Sequence, residues 1–88
     1  MRITVELSLY PLKDQSIPMI EDFIDRLGVD ECVEVVTNQM STQLRGDFDA
    51  VMRVVEAALR RSFTSPNTQV LVAKYINADL PIADMPEL

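Results

Sequence analysis

The chain has no histidine and no tryptophan, a single cysteine, Cys32, and only two glycines. Without an imidazole it cannot form the serine and cysteine catalytic triads that need histidine, and most zinc-binding sets are also excluded. A single thiol cannot form an internal disulfide. Glu31 and Glu34 disfavour a reactive thiolate at Cys32, so we expect a small buried side chain there. Two separate glycines cannot build a phosphate-cradling loop.

Basic residues are scarce: eight Lys and Arg stand against fourteen Asp and Glu, and the net charge is −6. This charge disfavours nucleic acid and anionic membrane surfaces as partners. No stretch approaches the roughly 20 apolar residues of a membrane span, and the first ten residues lack the continuous apolar core of a signal peptide. We therefore expect a cytoplasmic protein without membrane insertion. The acidic residues match no calcium-loop spacing, so no metal site is expected.

A chain of 88 residues with 48% hydrophobic residues predicts one small globular domain. We place this domain at residues 1–79 and an extended C-terminal tail at residues 80–88, because Pro81 and Pro86 interrupt a segment without core periodicity. A domain of this size buries only about 60–65% of its unfolded surface. Association into a dimer is therefore expected as a source of further burial.

Hydrophobic periodicity predicts six elements. Residues 2–10 alternate as a strand, and residues 16–27 have helical spacing. Residues 32–38 and 41–45 form two strands, Gly46 ends the second, and Asp47 caps another helix before a last strand at residues 69–76. The order βαββαβ predicts an α+β, ferredoxin-like sandwich, a four-stranded antiparallel sheet with two helices on one face.

The predicted register joins the hairpin by a two-residue turn at Gln39 and Met40. Thr37 then pairs with Thr42, and both point towards the helices, where they need partners or a cavity. The apolar positions of the first strand also face the helices: Ile3, Val5, Leu7 and Leu9. The opposite face is predicted to be open and to carry Thr4, Glu6, Ser8 and Tyr10, with Glu34, Val36, Asn38, Ser41, Gln43 and Arg45 from the hairpin.

The open face collects side chains that suit a small polar heterocycle. Hydroxyls and carboxamides both donate and accept hydrogen bonds, Glu6 favours a cationic or NH-rich ligand, and Tyr10 offers a stacking surface. Met40 at the turn can contact a ring edge. An exposed sheet face is polar by default, however, so Thr4, Glu6 and Ser8 are also explained without a ligand. The polar run of residues 37–43 is unusual for a hairpin and favours a binding role.

Two motifs resemble the YkoF-like family, which binds thiamine and hydroxymethylpyrimidine. The more specific is Asn38-Gln-Met-Ser-Thr-Gln43, followed by Gly46-Asp-Phe-Asp49. The weaker is Glu6-Leu-Ser-Leu-Tyr-Pro-Leu12. The resemblance extends from residue 2 to about residue 79 and implies a ferredoxin-like domain without enzymatic activity or cofactor. It implies ligand contacts at Ser8, Tyr10, Asn38, Met40, Ser41, Thr42 and Gln43, with Glu6 nearby. It also implies association through the sheet into a homodimer or homotetramer.

The function expected from this resemblance is binding of thiamine or hydroxymethylpyrimidine during thiamine uptake or salvage. Two alternatives remain open: an interaction protein whose sheet serves only for assembly, and a small enzyme such as a cofactor-free monooxygenase or acyl-phosphate hydrolase. The sequence also leaves open whether the pocket faces the open side of the sheet or the helices.

Overall fold

The structure, a computed structural model, describes residues 1–12 and 16–86. Its elements follow the predicted order: β1 (Arg2–Pro11), α1 (Ser16–Leu27), β2 (Glu34–Thr37), β3 (Thr42–Asp47), α2 (Phe48–Phe63) and β4 (Gln69–Ile76). The strands form one antiparallel sheet in the order β2-β3-β1-β4. The ferredoxin-like α+β fold is therefore confirmed.

The core lies between the sheet and the two helices. The predicted inward side chains of β1 are buried, as are Phe23 and Leu27 of α1. Leu44 of β3 and Val51 of α2 are fully buried. α2 contributes a further stripe at helical spacing, formed by Ala50, Val54, Val55 and Ala58. The apolar side chains that repeat every two residues in β1 and every 3.6 residues in the helices therefore pack together in one layer.

The hairpin register is confirmed, with Thr37 opposite Thr42 and Val36 opposite Gln43. The strand ends differ from prediction. β3 continues through Gly46, which pairs with Ile3 of β1, so Gly46 does not end the strand. β2 begins only at Glu34.

The prediction that Cys32 is buried is wrong, because its side chain is exposed. Residues 30–33 form a turn before β2. The Asp30 carboxylate accepts a hydrogen bond from the backbone N–H of Cys32 at 2.8 Å, and the Asp30 carbonyl accepts one from the N–H of Val33 at 3.1 Å. The turn includes residues 32 and 33, the first two residues of the predicted strand. Within it Val33 is buried instead of Cys32.

The prediction that Thr4 lies on an open sheet face is also wrong, because the C-terminal segment covers it. Thr4 is only 3% exposed. Its hydroxyl donates to the Ala78 carbonyl at 2.7 Å and accepts from the Leu80 N–H at 2.9 Å. Arg45 donates to the Leu80 carbonyl at 2.8 Å, and Asp79 lies within ion-pair distance of Arg2 and Arg45. Residues 78–80 therefore cover the part of the sheet where β1 begins and β3 ends.

Neither α1 nor α2 combines the length and the apolar character that a membrane crossing requires, and the described ranges contain no other helix that does.

Candidate functional site

A hydrogen-bonded polar network crosses the uncovered part of the sheet face. The Ser41 hydroxyl donates to the Glu6 carboxylate at 2.8 Å and accepts from the Gln43 amide at 2.6 Å. The Asn38 amide lies 3.5 Å from the Gln43 carbonyl oxygen. On the other side of β1, the Lys74 ammonium of β4 lies 3.4 Å from the second Glu6 oxygen. The register predicted from sequence thus brings Glu6, Asn38, Ser41 and Gln43 together.

This network fixes the ionisation state of Glu6. The hydrogen bond from Ser41 lowers the pKa of the Glu6 carboxyl below its ordinary value of 4.5, and the neighbouring Lys74 ammonium lowers it further. Partial burial opposes the shift but does not reverse it. Glu6 is therefore an anion near neutral pH, with both oxygens engaged.

The hairpin turn is closed by the Asn38 side chain. Its carbonyl oxygen accepts hydrogen bonds from the backbone N–H groups of Met40 and Ser41, at 2.9 and 3.1 Å. The backbone N–H of Asn38 donates to the backbone carbonyl of Ser41 at 3.1 Å. Asparagine readily closes turns in this way, which explains a tight turn at Gln39 and Met40 without glycine. The closed turn leaves the Met40 side chain 85% exposed at the tip.

A cavity of about 190 Å³ lies beside this turn, between the end of the sheet and α1. Leu7 and Leu9 of β1 line it, and Ile20, Phe23 and Ile24 of α1 form an apolar wall. Its polar lining comes from Ser8, Tyr10, Thr37, Asn38, Gln39, Ser41 and Thr42, with Met40 beside them. An apolar wall with a few convergent polar groups is typical of a small-molecule site.

The predicted site residues divide between these two features. Ser8, Tyr10, Asn38, Met40, Ser41 and Thr42 line the cavity. Glu6 and Gln43 do not; they lie on the uncovered sheet face and reach the cavity rim through Ser41. The structure therefore places a defined space on the helix side of the sheet and a charged network on its other side, joined at the hairpin.

Sequence reasoning did not name Thr37, Ile20, Phe23 or Ile24 as site residues. The predicted hairpin register could have identified Thr37, because it turns this side chain towards the helices beside Thr42. The two hydroxyls lie 3.1 Å apart, and one donates a hydrogen bond to the other. The α1 residues were interpreted only as an apolar stripe, since nothing in a helical pattern tells a packed position from a cavity wall.

A larger groove of about 870 Å³ lies between the start of α1 and the end of α2. Its charged residues are already paired: Arg61 donates to Asp22 at 3.1 Å, and Arg60 to Glu56 at 2.7 Å. Size alone therefore does not make it the better candidate. Within residues 1–12 and 16–86, no three acidic or cysteine side chains form a group able to hold a metal ion.

The model of the YkoF-related family matches residues 2–78, which is nearly the whole chain. The chain belongs to the YkoF-related family. No curated protein matches it significantly.

Solved structures share the fold. A protein from Streptococcus pneumoniae is 26% identical, with a TM-score of 0.79, 94% of this chain covered and 92% of that one. A hypothetical protein from Methanocaldococcus jannaschii is 24% identical, with a TM-score of 0.75 and coverage of 89% and 81%. A candidate thiamine biosynthesis or salvage protein from Thermotoga maritima is 16% identical, with a TM-score of 0.74 and coverage of 98% and 90%.

Proposed function

We propose that this protein is a non-enzymatic binding protein for thiamine or its hydroxymethylpyrimidine moiety, and that it acts in the cytoplasm in thiamine uptake or salvage. The observation that carries the proposal is the cavity beside the hairpin, a half-open space lined by Ser8, Tyr10, Asn38, Met40 and Thr42. Membership of the YkoF-related family and the thiamine-related description of the Thermotoga maritima neighbour support the choice of ligand.

The cavity suits a flat, amphipathic ring. Ile20 and Ile24 of α1, packed beside the buried Phe23, provide an apolar surface, and the hairpin provides hydroxyls and amides for the ring nitrogens and amino group. The net charge of −6 favours the thiazolium cation of thiamine and disfavours its pyrophosphate ester. For the same electrostatic reason, nucleic acid is not a partner in this proposal.

A catalytic role has little support from the carboxylate in this region. Both oxygens of Glu6 are engaged, by Ser41 and by Lys74. Its lowered pKa keeps it ionised near neutral pH, so it is a poor proton donor. Binding without turnover is therefore the function that we propose.

Titration calorimetry with thiamine, hydroxymethylpyrimidine and thiamine pyrophosphate tests this proposal. We expect heat from the first two ligands and weaker binding of the pyrophosphate. The absence of heat from all three at millimolar ligand concentration would overturn it.

We also propose that the chain assembles through its sheet as a homodimer or homotetramer. Apolar side chains are exposed on the uncovered part of the sheet face: Tyr10 is 52% exposed, Val70 45% and Val72 48%. A partner sheet would bury them. Analytical ultracentrifugation should show a dimer or tetramer at micromolar concentration, and a clean 9.9 kDa monomer would contradict assembly.

The same exposed residues favour a second candidate function, an interaction protein whose sheet only assembles. Changing Asn38 and Gln43 together to alanine separates the two candidates, because both are exposed or half-buried and lie outside the core. The binding proposal expects lost ligand affinity with assembly retained. An assembly-only protein would keep its oligomeric state and have no ligand affinity to lose.

A further inference from the structure

Residues 78–80, here called the strap, lie across one end of the sheet face that points away from the helices. Every second residue of β1 points to this face, so its side chains form rows across the strands. The rows are centred on the β1 residues Thr4, Glu6, Ser8 and Tyr10. In the first row, Thr4 is paired with Ile76 of β4 on one side and with Arg45 of β3 on the other. The strap lies on this row.

The contacts that hold the strap are polar. The Thr4 hydroxyl donates to the Ala78 carbonyl at 2.7 Å and accepts from the Leu80 N–H at 2.9 Å, and Arg45 donates to the Leu80 carbonyl at 2.8 Å. The large apolar side chain of the strap, Leu80, is exposed. A segment held by a few polar contacts opens more readily than a packed core element, so the strap can leave while the sheet stays folded.

The remaining contact of the strap is ionic and sensitive to salt. The Asp79 carboxylate lies 3.0 Å from the Arg2 guanidinium and 3.4 Å from that of Arg45. The side chains of Asp79 and Arg2 are 41% and 49% exposed, so salt screens their attraction. Arg45 also has Glu34 of β2 at 3.4 Å. It therefore keeps a partner within the sheet when Asp79 leaves.

The strap and a second copy of the chain compete for the same surface. Tyr10, Val70 and Val72 are exposed on the other rows of this face, and the proposed assembly through the sheet would bury them. With the strap in place, a second sheet meets three rows, and after its release it meets four. Release thus widens the available face by about a third, towards the roughly 800 Å² that each partner buries in a stable interface.

We propose that the strap is a salt-sensitive autoinhibitory element: bound to its own sheet it limits association with a second copy, and its release strengthens the dimer. This inference rests on the proposed assembly through the sheet and is independent of ligand binding. In a dimer with two-fold symmetry both copies use the same surface, so the release of both straps contributes.

The test is Asp79→Asn in the full chain, with two measurements. Hydrogen exchange of the Leu80 amide, at a concentration where the chain is monomeric, reports opening of the strap. Sedimentation velocity gives the dissociation constant of the dimer. Losing two exposed ion pairs should increase opening about threefold to tenfold. The dissociation constant should then fall at least about threefold, and at most by the square of the increase in opening, because two straps are involved.

Salt and a charge-matched variant provide the controls. Raising the salt concentration from about 0.05 to 0.5 M should accelerate Leu80 exchange in the wild type and have little effect in Asp79→Asn. Asp25→Asn makes the same change in net charge at an exposed position of α1, on the other side of the sheet. It should leave both the Leu80 exchange and the dimer unchanged.

The outcomes separate this inference from the proposed assembly. A dimer of Asp79→Asn that is no tighter than the wild-type dimer, although Leu80 exchanges faster, would overturn the strap's role and leave assembly intact. A weaker dimer would place the strap within the interface and would also overturn it. Leu80 exchange unchanged by both the substitution and salt would overturn the ionic control. Monomers of both proteins at every concentration measured would overturn this inference and the proposed assembly together.

Discussion

Thr4→Val should detach the C-terminal segment from the sheet. The substitution keeps the side-chain shape but removes a hydroxyl that makes two hydrogen bonds, to Ala78 at 2.7 Å and from Leu80 at 2.9 Å. At about 1 kcal/mol net for each neutral hydrogen bond, the loss is about 2 kcal/mol. The loss in free energy of unfolding does not exceed this value, because residues 78–80 can separate from the sheet. Their unpaired backbone groups then form hydrogen bonds with water. In a domain of this size, 2 kcal/mol corresponds to a Tm lower by about 10 °C.

Two measurements check this prediction. Urea unfolding gives the free energy of unfolding, and hydrogen exchange gives the protection of the Leu80 amide, which donates to Thr4. In Thr4→Val the Leu80 protection should be lost, while the amides of the buried β1–β3 ladder keep theirs relative to global unfolding. Thr4→Ser is the matched control, because it keeps the hydroxyl and loses one methyl group, at a cost of about 1 kcal/mol. A Leu80 amide equally protected in wild type and Thr4→Val would refute the reasoning.

Three further predictions concern the sheet. Gly46→Ala should lower the free energy of unfolding in urea by about 1–3 kcal/mol, because a Cβ there would lie 3.0 Å from the Cys32 carbonyl oxygen. Gly28→Ala is the control: its Cβ would lie 3.7 Å from the nearest atom, so the change should be neutral or slightly stabilising. Equal effects of the two substitutions would contradict the packing argument. Leu44→Ala removes a fully buried side chain and should cost about 2–5 kcal/mol by the same assay; a loss below 1 kcal/mol would contradict its central position. Because the pKa of Glu6 is lowered in the folded state, its ionised form stabilises the fold fully above pH 4.5, and this contribution is lost as the pH falls through the lowered folded pKa. The free energy of unfolding, measured between neutral and acidic pH, should therefore depend less on pH in Glu6→Gln than in the wild type. An equal pH dependence in the two proteins would argue against the shift.

The elements and the hairpin register could be predicted because they depend on local patterns. β1 alternates over its whole length, and the pairing of Val35 with Leu44 and of Glu34 with Arg45 allows only one sensible alignment of the hairpin. A shift by one residue would turn every apolar side chain to the wrong face.

The predictions that failed depend either on contacts between residues distant in sequence or on a local turn that forms where a strand was predicted. Burial of Thr4 requires residues 78–80, which have no periodicity to show where they pack. Cys32 is exposed because the Asp30 carboxylate closes a turn before β2 begins. The position of the candidate site was only partly predictable, since pairing within the sheet places Glu6 beside Ser41, whereas the cavity depends on how far α1 stands from the end of the sheet.

The position of residues 78–80 has a consequence for any assembled form. They lie on Thr4 and Arg45, so a second subunit that docks on this surface meets the uncovered part, which bears Ser8 and Tyr10. These two residues also border the cavity. Docking of a neighbour and admission of a small molecule would then involve the same few side chains, and ligand affinity would vary with protein concentration.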